Sequence, residues 1–129
     1  MLTILVGAVL AYIFGAVWYT FLFGKVWAKL NGFSTEGSMS MESMVKPMIL
    51  NFLLQAIMAG VVYYLFHQLL VLSFADFLKA MITVWFGFSF TIYANAALWE
   101  RKSWSLVLLN TAYGILTTSL ISYVVYLMN

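Results

Sequence analysis

The sequence predicts an all-α membrane protein, a bundle of four transmembrane helices forming one domain over residues 1–129. Three observations carry that reading. Of the 129 residues, 65% are hydrophobic and 8% charged, with a mean hydropathy of +1.02. A soluble domain of this size has too little interior to hide so much apolar surface, so its solvent must be lipid. The charges gather in a few short stretches and leave four apolar runs, each reaching the ~20 residues that a spanning helix needs at about 1.5 Å per residue. No segment alternates polar and apolar residues with period two, which argues against a transmembrane barrel.

The first span covers residues 2–23. Its opening, MLTILVGAVLAYIFG, lacks a basic leader and an A-x-A-like cleavage site, so it reads as a retained helix. Gly7, Ala11 and Gly15 recur at small-xxx-small spacing, a face suited to close helix packing, and Trp18 shares it. The connection over residues 24–46 is the one long loop, with a polar middle, NGFSTEGSMSMES. The second span, residues 47–72, begins at Pro47, which suits a first helical turn; the alternative is a start near Ser40 with a kink at the proline. Ser73-Phe74-Ala75-Asp76 has the form of a capping box, making a tight link into the third span at residues 77–99. Trp99-Glu100-Arg101-Lys102-Ser103-Trp104 is an equally short turn into the fourth span, residues 103–128.

Charge sets an expected orientation. Lys25, Lys29, Lys46, Arg101 and Lys102 lie in the first and third loops, with Lys79 alone opposite. By the positive-inside rule those loops are cytoplasmic and both termini outside. Trp18, Trp27, Trp99 and Trp104 lie on the same side and read as an aromatic belt.

Composition also narrows the chemistry. A net charge of +2 is too small to argue for a nucleic-acid partner. The chain has no cysteine, hence no disulfide or thiolate chemistry, and one histidine, His67, which rules out a multi-histidine metal or haem site within the chain. No Asp, Glu, Lys or Arg lies deep in a span, so proton-coupled transport lacks a carrier and hydrolytic or redox chemistry lacks its groups. The expectation is a non-enzyme without cofactor or metal. Met39, Met41, Met44 and Met48 look like a copper-binding methionine ladder but have no Cys or His beside them, and read as packing residues. His67, beside Tyr63 and Tyr64, reads as an interfacial side chain.

The candidate site is an amide and aromatic cluster in the cytoplasmic half. Asn51 and Gln55 lie about one and two turns inside the second span, Asn95 about one turn inside the third, and Asn110 nearly two turns inside the fourth. Trp18, Tyr19 and Tyr113 stand at a similar level. On the fourth span, Asn110, Thr111, Gly114, Thr117, Thr118 and Ser122 share an arc of roughly 140°, which should face inward because hydrocarbon satisfies no polar group. Such a cluster can be helix-packing glue, at about 0.6 kcal/mol per interhelical hydrogen bond. It can equally be a ligand or permeation site. The functional version requires a cavity open to the cytoplasm between Trp18 and the Glu100-Arg101 turn. Lys25, Glu100 and Arg101 are the candidates for an anionic headgroup.

One stretch is similar to a known family. WYTFLFGKVW, Trp18 to Trp27, follows a W-Y-x(3)-F-G-K-x-W pattern. Together with Asn95, Glu100-Arg101 and LLNTAYG (Leu108 to Gly114), it resembles a bacterial integral-membrane family known only as domain of unknown function 1761. The resemblance spans most of the chain and implies a four-helix protein of the bacterial cytoplasmic (inner) membrane, with no activity attached. Members place a histidine after the tyrosine of the last motif, where this chain has Gly114, so no role resting on that histidine carries over.

Two functions follow. The favoured one is a small channel, or a binder of a small neutral or amphiphilic molecule, built on the amide and aromatic cluster. The alternative is an accessory or assembly protein that binds another membrane protein through the small face of the first span and the hydroxyl face of the fourth. The expected partners are the lipid bilayer, a second copy of the chain (which a conducting pore would need) or another membrane protein.

Overall fold

The computed structural model describes residues 1–32, 41–69 and 73–129. The polar middle of the first connection, Met39, the side chains of Met41 and Met44, and residues 70–72 at the expected end of the second span lie outside the described residues. Among the described residues, four helical segments are long and apolar enough to cross a membrane: Leu2–Leu22, Val45–Gln68, Phe74–Trp99 and Trp104–Met128. The fold is an all-α bundle.

The first segment is α1 (Leu2–Val17) continued by a wider π-turn, Trp18–Leu22, in which the Phe23 amide donates to the Trp18 carbonyl five residues back at 2.9 Å. A short helix, α2 (Gly24–Asn31), then occupies part of the stretch expected as loop. Helix formers fill it, Lys25 and Lys29 stay exposed while Trp27, Ala28 and Leu30 are half-buried, and it stops at Gly32, whose φ of 72° makes the left-handed cap that glycine favours. The connection therefore carries a short amphipathic helix. A single helix, α3 (Met41–Gln68), runs through Pro47, so the early start is the alternative found.

Ser73 caps α4 (Phe74–Trp85), accepting from the Asp76 amide at 3.2 Å and donating to its carboxylate at 2.8 Å. The helix thus begins three residues before the expected 77, because the cap precedes the first turn. A second π-turn, Phe86–Phe90, joins α4 to α5 (Thr91–Trp99). Ser103 caps α6 (Trp104–Met128) by accepting from the Ser105 amide at 3.1 Å.

Small residues decide the packing. Gly7, Ala8, Ala11 and Gly15 are buried along one face of α1, which lies against both α3 and α6. A Cβ on Gly7 would sit 3.4 Å from the Ala59 methyl and 3.7 Å from Ile121, so the backbones meet almost without side chains between them. The core runs from Ala8, Ala11 and Ala59 through Val62 to Phe77, Met81, Ile121 and Val125. Towards the termini, Phe66 meets Phe77 edge-on at 5.0 Å and Phe74 leans on Tyr126 at 5.4 Å. The outward faces carry exposed Leu5, Ile13, Leu53, Ile57 and Ile92. That distribution suits lipid as solvent.

Candidate functional site

Tyr113 is the hub of the half of the bundle away from the chain termini. Its ring stacks on Phe14 at 5.9 Å and meets Tyr19 edge-on at 4.9 Å. It can do so because α1 presents Gly15: a Cβ there would stand 2.8 Å from the Tyr113 hydroxyl. Gln55 donates from Nε2 to that hydroxyl at 3.3 Å and to Asn51 Oδ1 at 3.4 Å. Tyr19 donates to Asn110 Oδ1 at 2.7 Å, tying α6 to the π-turn of the first segment.

These contacts link five of the seven candidates, and Trp18 joins them through its ring, 6.3 Å from that of Tyr113. Gln55 and Trp18 are buried, Tyr19, Asn110 and Tyr113 half-buried, and Asn51 exposed though bonded. Trp18 is therefore no belt residue; it packs against Phe23 at 4.4 Å and Phe14 at 5.8 Å, while Trp99 and Trp104 stay exposed. Burial follows from its place on the small-residue face of α1.

Asn95 does not join the cluster. It is exposed and makes no hydrogen bond among the described residues. Uninterrupted helix from Trp85 would put Asn95 about 80° from the tryptophan, but the π-turn adds roughly one residue and carries it to about 180°. The same shift brings Tyr93 to within about 20° of Trp85. The two rings are 6.4 Å apart.

Lys25, Glu100 and Arg101 are exposed and form no ion pair among the described residues. His67 is also exposed, edge-on to Tyr63 at 4.5 Å. No group of three His, Cys, Asp or Glu that could hold a metal ion is present among the described residues.

A cavity is expected between Trp18 and the Glu100-Arg101 turn; the rings of Phe14 and Phe23 pack on Trp18 itself. A small pocket of about 190 Å³, lined by Asn31, Tyr93, Lys102 and Asn110, lies on that side. A larger cavity, about 420 Å³, is on the other side of Tyr113, between α3, α4 and α6. Met58, Val62, Leu65, Met81 and Trp85 form apolar walls; Gln55, Ser89, Tyr93, Tyr113, Thr117 and Thr118 are the polar residues of the lining, and no charged side chain among the described residues lines it. Leu54, Val61, Val84 and Phe88 line it too and are exposed, so its mouth opens sideways between α3 and α4. Those helices close together at Phe66 and Phe77.

Among the described residues, Gln55 Oε1, Thr117 Oγ1 and Thr118 Oγ1 have no hydrogen-bond partner; their residues line this cavity but are 8%, 1% and 3% exposed, and the three oxygens themselves are sealed from its open space. Trp18 Nε1, Thr111 Oγ1 and Ser122 Oγ are also unpartnered, but they do not line it. Gly114 shapes the wall, because only a residue without a side chain leaves room for Trp85. The threonines belong to the polar arc legible on the fourth span. Trp85 was the missed signal, a tryptophan far from either end of its span, where an interfacial ring has no business.

The chain matches the model of a family described as "Protein of unknown function (DUF1761)" over residues 2–126. It belongs to the DUF1761 family. No curated protein and no solved structure matches it. In this DUF1761 chain the WYTFLFGKVW stretch builds the first π-turn and the start of α2, and LLNTAYG supplies Asn110, Tyr113 and Gly114. The two similar stretches are thus in direct contact, through Tyr19 and Asn110.

Proposed function

We propose that this protein binds a small amphiphilic molecule taken from the bilayer, in the cavity between α3, α4 and α6. One observation carries the reading: a largely apolar cavity, with the hydroxyl-bearing Ser89, Tyr93 and Tyr113 in its lining, has a mouth that faces the lipid side of the bundle. A volume of about 420 Å³ lies within the usual range of small-molecule sites, about 300–1,000 Å³. Binding is favoured over permeation because aromatic contacts bound the space at both levels: Phe66 on Phe77 towards the termini, Tyr113 on Phe14 and Tyr19 towards the other side.

Two facts favour this over an accessory role in membrane-protein assembly. The small face of α1 is already packed inside the chain, and Thr117, Thr118 and Ser122 of α6 are buried there too. Both faces that would receive a partner helix are covered.

The test uses protein in lipid nanodiscs and bromine-tailed amphiphiles, whose bromines quench nearby tryptophan. Saturable quenching that disappears in Trp85→Phe is the expected result. Quenching that persists in Trp85→Phe would place the amphiphile elsewhere.

The membrane proposed is the bacterial cytoplasmic one, with the loops before α3 and α6 in the cytoplasm, on the charge asymmetry of the basic residues. Reporter fusions at Asn129 should be active only outside. Activity confined to the cytoplasm overturns that orientation.

A further inference from the structure

The smaller pocket, about 190 Å³, lies between α2, α5 and α6 and has a lining of different character. Lys102 is the one charged side chain of its described lining, and it forms no ion pair among the described residues. The turn before α6 sets it in place: Arg101 takes a φ of 55°, and the Lys102 amide donates back to the Ala96 carbonyl, on the pocket's own wall, at 3.4 Å. Asn110 gives Oδ1 to Tyr19, which leaves Nδ2 as a donor without a partner among the described residues. Unlike the oxygens of Gln55, Thr117 and Thr118, that nitrogen keeps accessible surface. Asn31 commits Nδ2 to the Trp27 carbonyl at 2.9 Å and keeps Oδ1 as an acceptor.

A cation and an amide N–H on one wall suit an oxyanion, and the Asn31 oxygen suits a hydroxyl beside it. A zwitterion would bring a second cation, for which the described lining has no acidic partner. Depth points to the source. Lys102 stands between the ends of two segments long and apolar enough to cross a membrane, beside exposed Trp99 and Trp104. Asn110 lies about 9 Å further along α6 from Trp104, at 1.5 Å per residue. Leu106 and Val107 add an apolar wall, which suits the start of a lipid chain and gives a soluble ion nothing. We infer that this pocket binds the anionic phosphodiester headgroup of a lipid, with Lys102 meeting its charge and Asn110 Nδ2 donating to a phosphate oxygen. The site is separate from the amphiphile cavity, although Tyr93 lines both.

Native mass spectrometry of the full chain in neutral detergent counts bound molecules during titration with short-chain phosphatidylglycerol or chain-matched phosphatidylcholine. Phosphatidylglycerol should half-saturate at about 10-fold lower concentration, the worth of one charge-assisted hydrogen bond. Equimolar inorganic phosphate should not displace it. Lys102→Gln, at an exposed position that tolerates exchange, should remove most of the preference. Asn110→Asp, which keeps an oxygen for Tyr19 and turns the wall negative, should abolish it. Lys29→Gln removes another exposed charge outside the lining, and Trp85→Phe alters the larger cavity alone; both should leave the preference unchanged. Equal binding of the two lipids overturns the assignment. Equal losses in Lys29→Gln and Lys102→Gln overturn it too, reducing the preference to general surface attraction. Loss in Trp85→Phe puts the lipid in the larger cavity and overturns this site while supporting the other. Displacement by inorganic phosphate overturns the lipid source.

Discussion

Replacing Ala11 with leucine should cost the bundle about 1–3 kcal/mol, the usual penalty for forcing extra methylenes into a packed site. Ala11 is fully buried within the central core, on the face where α1 lies against both α3 and α6. In lipid there is no hydrophobic drive between helices, so close van der Waals packing of small faces holds α1 in place. Three additional carbons must push α1 off its neighbours, and every contact along Gly7 to Gly15 weakens with it. The check is thermal unfolding in mild detergent beside size-exclusion chromatography. The midpoint should fall while particle size stays constant, because the face is internal to one chain. Leu5→Ala and Ile13→Ala, at exposed positions of the same helix, should stay within about 0.5 kcal/mol of the parent. A parent-like midpoint for Ala11→Leu would mean that α1 is not packed on this face.

What the sequence reveals and conceals divides along a physical line. Features set by helical spacing were legible: the Gly7-Ala11-Gly15 face, the Ser73 cap, and the inward arc from Asn110 to Ser122. Each depends on which residues share a side of one regular helix. Asn95 failed because that regularity breaks at Phe86–Phe90, and nothing in FGFSF announces the extra residue per turn. The helix α2 was legible in principle, since Lys25 and Lys29 are four apart and Gly32 follows as a stop signal. Its brevity and the polar tract beyond it pointed to loop instead. The cavity was hardest to see, because a space belongs to no residue; it arises where α3 and α4 separate below Phe66 and Phe77. Partial hints existed in Thr117 and Thr118, two hydroxyls in apolar surroundings, and in Trp85 at mid-span. Depth marks the amides Gln55 and Asn110, the polar arc of the fourth span marks Asn110 again, and the tyrosines that bind them, Tyr113 and Tyr19, stand among the same candidates. Direction was the missing quantity: the cluster was expected to open to the cytoplasm, and the room lies on the far side of Tyr113.

Gly114→Ala should destabilise the protein although it adds only a methyl group. In an ordinary helix interior this change stabilises, since alanine is favoured over glycine by about 1 kcal/mol. Here the new Cβ would fall 1.9 Å from Cζ2 of Trp85 and 2.4 Å from Cε2, inside the rigid indole itself. Trp85 is only 9% exposed, so the ring has one place to go, into the cavity it lines. The expected result is a stability loss of about 1–3 kcal/mol, together with loss of amphiphile binding as the indole takes up the guest's space. A double-mutant cycle with Trp85→Leu isolates the cause. The smaller side chain removes the clash, so the pair should be more stable than the sum of the two single changes predicts, by at least about 1 kcal/mol. Thermal unfolding of the four proteins measures this coupling. Additive effects, or a Gly114→Ala variant more stable than the parent, would show that the indole does not lie over the glycine. Coupling without loss of binding would instead mean that the displaced ring leaves through the mouth between α3 and α4, keeping the amphiphile site intact.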